Sequence, residues 1–168
     1  MTTPMPGIET TFARLTAELD APMLIVTTEG GGERAGCLVG FWTQSSIRPP
    51  RFLVCISRLN HTYKVAVRAE RMIVHFVPEG ATELAELFGG ETGDDVDKFA
   101  AVDWHRGPGG VPLLDGLDTW FAGDVVERVG LGDHVGFLLA PIDGAVRRTA
   151  APRLRFHRAR RIEPGHPA

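Results

Sequence analysis

The sequence predicts a mainly β protein, an antiparallel β-barrel with added helices. Three observations predict it. Short runs of β-branched and apolar residues recur along the chain, at residues 23–28, 52–57 and 72–77. Glycine-rich punctuation separates such runs at hairpin distances, in Glu29-Gly30-Gly31-Gly32-Glu33 and Gly130-Leu131-Gly132-Asp133. Helical periodicity is confined to a few short stretches.

The elements follow in order. Ile8, Phe12, Leu15 and Leu19 fall at helical spacing, and Asp20-Ala21-Pro22 ends that helix. A strand over 23–28, a loop and a return strand over 34–43 come next. Pro49-Pro50 then stops backbone pairing, because neither ring donates a hydrogen bond. Pairing resumes at 52–57. Asn60 is a good N-cap for a short helix over 61–68. A buried strand at 72–77 leads through Pro78 to a helix over 81–88, with Leu84, Leu87 and Phe88 on one face and Gly89-Gly90 at its end. Residues 91–112 form a long irregular segment, and loops of that length usually carry function. Two long strands, 117–129 and 134–142, are joined across the second glycine-rich turn. A last strand is expected within 146–157 and a flexible end from Pro164. The chain thus divides into an N-terminal helical segment (1–21), one barrel domain (22–161) and a C-terminal tail (162–168).

Composition narrows the class. The chain has 168 residues, 43% hydrophobic and 23% charged, which suits one globular domain with a real core. No apolar run approaches a membrane span, and no secretory signal opens the chain. Cys37 and Cys55 are too few for a disulfide framework and read as buried free thiols of a cytoplasmic protein. The net charge is −3, yet residues 147–161 hold seven arginines and no acid. Phe156 is the one aromatic among them and no recognition motif accompanies them, so nucleic acid is not the expected partner. The six histidines lack paired ligand spacing, so no metal site is expected. There is no G-x-G-x-x-G turn for a Rossmann nicotinamide site and no nucleophile elbow.

Two polar clusters carry the chemistry. Thr43, Gln44, Ser45 and Ser46 end a strand with four hydrogen-bonding side chains. Asn60, His61 and Thr62 open a helix whose first amides are free to meet an anion, with Ser57, Arg58 and Lys64 nearby. Such a pair suits a phosphorylated ligand.

The stretch from Gly36 to Val67 resembles the flavin reductase-like family, whose members bind flavin mononucleotide (FMN) on a split β-barrel. The resemblance rests on Thr43-Gln44-Ser45-Ser46-Ile47-Arg48-Pro49-Pro50, then Val54-Cys55-Ile56-Ser57, then Asn60-His61-Thr62. Asp97-Lys98-Phe99, Trp104, Gly109-Gly110-Val111-Pro112-Leu113-Leu114 and Gly132-Asp133-His134 follow in family order. Arg48 stands where the family often has Asp, and Gln44 where it often has a small hydroxyl residue. The resemblance implies a six- or seven-stranded Greek-key split barrel and a homodimer. It implies an FMN-dependent NAD(P)H oxidoreductase, with FAD as a further flavin, that supplies reduced flavin to a partner monooxygenase. Thr43 to Ser46 would hold the ring and ribityl chain, and Ser57 and Asn60 to Thr62 the phosphate. Lys98 would balance charge at the ring, Phe99 would cover it, and His134 would be the catalytic residue. Other readings on the same barrel are an FMN carrier or redox sensor with little turnover, and an oxidoreductase using deazaflavin.

Overall fold

The computed structural model describes residues 7–147, 151–163 and 165. Helix α1 (Ile8–Ala17) precedes a hairpin of β1 (Leu24–Gly30) and β2 (Glu33–Val39). Gly31 and Gly32 turn that hairpin at φ 60° and 79°. A two-residue turn of this hand needs positive φ at both positions, which glycine adopts without strain. β3 (Trp42–Ser46), β4 (Arg51–Ser57), α2 (His61–Ala66), β5 (Ala69–Phe76) and α3 (Thr82–Gly90) follow. A small hairpin of β6 (Trp104–Arg106) and β7 (Pro112–Leu114) leads to β8 (Trp120–Leu131), β9 (His134–Ala145) and the short α4 (Phe156–Ala159).

Seven strands make one antiparallel sheet in the order β2-β1-β5-β8-β9-β4-β3. The two edge strands, β2 and β3, are neighbours in sequence, so the sheet must roll to bring its edges together. One core shows the roll. Cys37 and Val39 from one edge pack in a single cluster with Val54 and Ile56 from β4 beside the other edge, and with Val135, Phe137 and Leu139 of β9. This is the expected split barrel: the sheet curls but β2 and β3 do not ladder. A second cluster sits outside the barrel, where Phe88 of α3, Phe99, Leu114 and Leu154 cover Ile25.

Three expectations change in detail. The strand expected over 34–43 is two strands, broken at Gly40 and Phe41. There the chain crosses the split: the Phe41 carbonyl accepts from the Cys55 N–H at 2.9 Å, and Trp42 Nε1 donates to the Pro22 carbonyl at 2.7 Å. No ladder strand forms in the described part of 146–157; residues 148–150 lie outside the described residues. Instead Leu154 bridges the residue before β1 and the residue after β5. Its carbonyl accepts from Met23 N–H at 2.8 Å and its N–H donates to the Val77 carbonyl at 2.9 Å. The Pro152 carbonyl accepts from Glu79 N–H at 2.9 Å, but with no N–H of its own Pro152 donates nothing further. The irregular segment is partly built, with a helical turn at Lys98–Ala100 and the β6–β7 hairpin. The expected tail falls largely outside the described residues.

The arginine-rich segment ties the chain to itself. Arg155 donates to the Asp20 carbonyl, His157 Nε2 to the Ala17 carbonyl at the end of α1, and Arg158 pairs with Glu79 at 2.8 Å. Arg153 lies over the Phe76 ring.

Candidate flavin site

The crossover from β2 to β3 opens a cleft of about 300 Å³. Its walls are apolar or weakly polar: Met23, Cys37, Leu38, Val39, Phe41, Cys55, Ile56 and Phe156. Ser57, Asn60 and His134 converge on it. The antiparallel register explains the first and last of these, because Ser57 sits directly opposite His134 on the β4–β9 ladder. Asn60 arrives through the turn after β4. Its side-chain oxygen accepts from Thr62 N–H at 2.9 Å and caps α2.

His134 is held on two sides. Asp133 Oδ1 lies 2.6 Å from its Nδ1, and the Phe41 ring centroid lies 5.0 Å from its own. The bond from His134 holds the Asp133 carboxyl below its usual range. Arg58 fastens the turn behind this pair, donating its backbone N–H to the Asp133 carbonyl and its Nε to the Gly132 carbonyl. Burial pushes both thiols up, Cys37 and Cys55 alike, so neither is poised as a nucleophile.

Beyond Phe41 the chain leaves the cleft along β3. Thr43, Gln44 and Ser45 are exposed there, and Ser46 is half-buried. β3 pairs only with β4, so its outer backbone edge faces outward and offers donors and acceptors in a row. Among the described residues, the Thr43 and Gln44 side chains bond to nearby main-chain carbonyls, at 3.1 and 3.4 Å.

The remaining expected contacts lie elsewhere in the chain. Thr62 is 1% exposed, and its hydroxyl meets the Cys37 thiol inside the core. His61 has a carboxylate on each ring nitrogen: Asp94 Oδ1 is 2.8 Å from Nδ1, and Glu33 Oε1 is 2.7 Å from Nε2. Bonds from His61 and then Lys64 hold the Asp94 carboxyl below its usual range. Lys98 and Phe99 are buried. Lys98 Nζ donates to the Gly36 carbonyl at 3.0 Å and to the Phe88 carbonyl at 3.1 Å, and burial lowers its pKa. The Phe99 ring packs edge-on against Phe88 and Trp104. Within one chain, then, these side chains tie elements together. His61, Lys98 and Phe99 line a second, more acidic cleft of about 350 Å³ with Glu33, Asp94, Asp95 and Asp97.

Sequence reasoning missed Phe41 and Asp133. The signals were present: a glycine before an aromatic at a strand break, and an Asp-His dipeptide at a hairpin turn.

This arrangement fits a flavin. A flat apolar ring needs an apolar wall, and its polar edge and hydroxylated chain need donors along one side. The cleft supplies the wall, with Ser57, Asn60 and His134 converging on it, and the free edge of β3 supplies the row of donors. A family model described as a flavin reductase like domain matches residues 16–164. The chain belongs to the flavin reductase-like family. Among its relatives is the FMN reductase (NADH) RutF of Methylorubrum extorquens, 35% identical over 118 residues, which are 70% of this chain and 57% of that protein. The RutF of Klebsiella pneumoniae subsp. pneumoniae is 32% identical over 123 residues, covering 73% of this chain and 74% of the relative. The chain therefore spans little more than half of the first relative and about three quarters of the second. A solved structure, a nitrilotriacetate monooxygenase component B homolog from Mycobacterium thermoresistibile, superposes with TM-score 0.78 at 24% identity. The superposition covers 90% of this chain and 83% of that one, and it shows the shared fold. In this flavin reductase-like chain the family's Ser/Thr-rich strand is β3, and its Asp-His turn joins β8 to β9.

Proposed function

We propose that this chain is an NADH-dependent FMN reductase that hands reduced flavin to a partner monooxygenase. The observation that carries the reading is the convergence of Ser57, Asn60 and His134 on an apolar-walled cleft beside the open edge of β3. The relatives' names support FMN and NADH, and the structural neighbour's name supports a monooxygenase partner. The two free cysteines support a cytoplasmic protein. Among the described residues no helix is long and apolar enough to cross a membrane. The working unit is a homodimer.

FMN, when bound, supplies the hydride-accepting chemistry. The chain's part is to bind, orient and exclude water, since hydride transfer needs two stacked rings at reacting distance more than an acid or base at the transferring atoms. Thr43 to Ser46 line the polar edge of the site. Val39, Phe41 and Ile56 give it dry walls, and Ser57 and Asn60 supply polar contacts at its inner end. Asp133 occupies His134 Nδ1, which leaves Nε2 as the ring nitrogen available to hold or move a proton in the cleft. The phosphate contact through Thr62 and His61 and the ring contacts through Lys98 and Phe99 require these side chains to leave their present partners.

The test is anaerobic mixing of the purified protein with FMN and either NADH or NADPH, followed at the flavin absorbance band. Bleaching well above the protein-free rate, faster with NADH, is the expected result. Flavin binding without bleaching would overturn the reductase reading and leave an FMN carrier or redox sensor.

A further inference from the structure

We propose that Asp94 is a built-in competitor for the flavin phosphate and sets how strongly this chain prefers FMN over the unphosphorylated flavin. The proposal rests on the flavin reading above. His61 and Lys64 stand three residues apart on α2 and so share one face of it. Both hold the same carboxylate. Asp94 Oδ1 lies 2.8 Å from His61 Nδ1, and Lys64 Nζ lies 3.0 Å and 3.2 Å from the two Asp94 oxygens. A carboxylate and a phosphate ask for the same partners, N–H donors that carry positive charge. The pair is therefore an anion seat, and the chain fills it with a side chain of its own.

The seat adjoins the flavin cleft. Asn60 lines that cleft, and His61, the next residue, lines the neighbouring acidic one. A ligand whose ring lies in the first and whose chain runs past Asn60 brings its terminal group to His61 and Lys64. In FMN that group is a phosphate; in riboflavin it is a hydroxyl. The charge of the present occupant thus bears on one flavin and not on the other.

The segment that carries Asp94 is built both to dock and to leave. A Cβ on Gly93 would lie 2.6 Å from His61 Cδ2, so glycine lets the backbone lie against the ring. Thr92 folds the segment on itself: its hydroxyl accepts from Asp94 N–H at 3.2 Å and its carbonyl from Val96 N–H at 3.0 Å. None of residues 91–97 is buried, so polar ties hold the segment down. The Lys64 and Asp94 side chains are 56% and 45% exposed, and ion pairs so open to water are weak. While docked, the segment sets Asp94, Asp95 and Asp97 beside Glu33 in the cleft, a field that repels a phosphate. Once the segment is displaced, Glu33 is the carboxylate left against His61, with Arg68 at 3.4 Å on its other side. A phosphate binds by taking the place of Asp94, and its apparent affinity is reduced by the fraction of molecules in which Asp94 holds the seat.

Fluorescence titration of the full chain with FMN and with riboflavin tests this, with no turnover needed. Asp94→Ala should bind FMN about 3- to 10-fold more tightly and riboflavin within about 2-fold of the native value. Asp95→Asn removes the same charge from the same segment without touching either cation, and should leave the ratio of the two affinities unchanged. Lys64→Gln added to Asp94→Ala should take the FMN gain away again. All three side chains are at the surface, and circular dichroism checks that each variant is folded. Equal gains for FMN and riboflavin, or equal gains from Asp94→Ala and Asp95→Asn, would overturn the competitor while leaving the flavin reading in place. A gain that survives Lys64→Gln would do the same. If neither flavin binds the native chain or Asp94→Ala, both the competitor and the flavin reading fall. Amide exchange gives a second readout on native protein: FMN should speed exchange across residues 91–97 and riboflavin should not, and equal protection with both would mean that Asp94 is never displaced.

Discussion

His75 is fully buried, and both of its ring nitrogens are engaged. Nδ1 donates to the Ile25 carbonyl at 3.0 Å, and Nε2 accepts from Leu114 N–H at 3.1 Å. That pattern fits only the neutral ring, and burial lowers its pKa from 6.5 to about 4. Below pH 6.5 the unfolded chain takes up a proton that the native chain refuses until about pH 4. Stability is therefore complete above the unfolded value and falls as the pH drops through that window, by roughly 3 kcal/mol in all. Urea midpoints measured from pH 7 to 4 should show this loss, and His75→Gln should flatten the slope. Lys98 makes a second prediction at this scale. Lys98→Met strands two buried carbonyls that its ammonium now satisfies, and should cost roughly 2–5 kcal/mol in the same titration. At the cleft, His134→Gln should slow flavin reduction by about 10-fold or more with little change in KM for NADH, as loss of a proton-handling group does. An unchanged kcat would remove His134 from the chemistry.

At the scale of elements, the β1–β2 hairpin is locked to α2 through a close backbone approach. A Cβ on Gly30 would lie 2.5 Å from the Val65 carbonyl oxygen and 2.9 Å from Ala69 N. Both are main-chain atoms and cannot swing aside. Gly30→Ala should therefore force the hairpin off the helix and cost about 1–3 kcal/mol, read as a lower thermal midpoint. Gly116→Ala, where nothing lies within 4 Å of the added carbon, is the control and should be near neutral. Elements were legible in the sequence where a local rule decided them. Asn60 capped its helix, Gly31-Gly32 turned its hairpin, and the 23–28 and 72–77 runs became β1 and β5. They were less legible where a distant partner decided. The 34–43 run carries only Gly40-Phe41 as a local sign of its break, and the partners that fix the break, Cys55 and Pro22, come from elsewhere in the chain. The Leu154 segment likewise reads as a strand yet makes only isolated bridges.

For the whole molecule, stability rests on the barrel core that both sheet edges share. Phe137, fully buried on β9, packs among residues from β2, β4, β5 and β9. Phe137→Ala should cost about 3–5 kcal/mol, read as a lower urea midpoint. An unfolding curve losing far less would mean that the barrel can collapse around the void. By itself the sequence determined the fold class, the order of elements, the family and the two polar clusters, because periodicity, punctuation and motif order are local quantities. Only the tertiary structure decided which residues meet. Register set Ser57 against His134, the crossover brought Phe41 to the same cleft, and burial turned Thr62, Lys98 and Phe99 inward. Side-chain direction depends on packing against residues far along the chain, and spacing along a sequence does not record it.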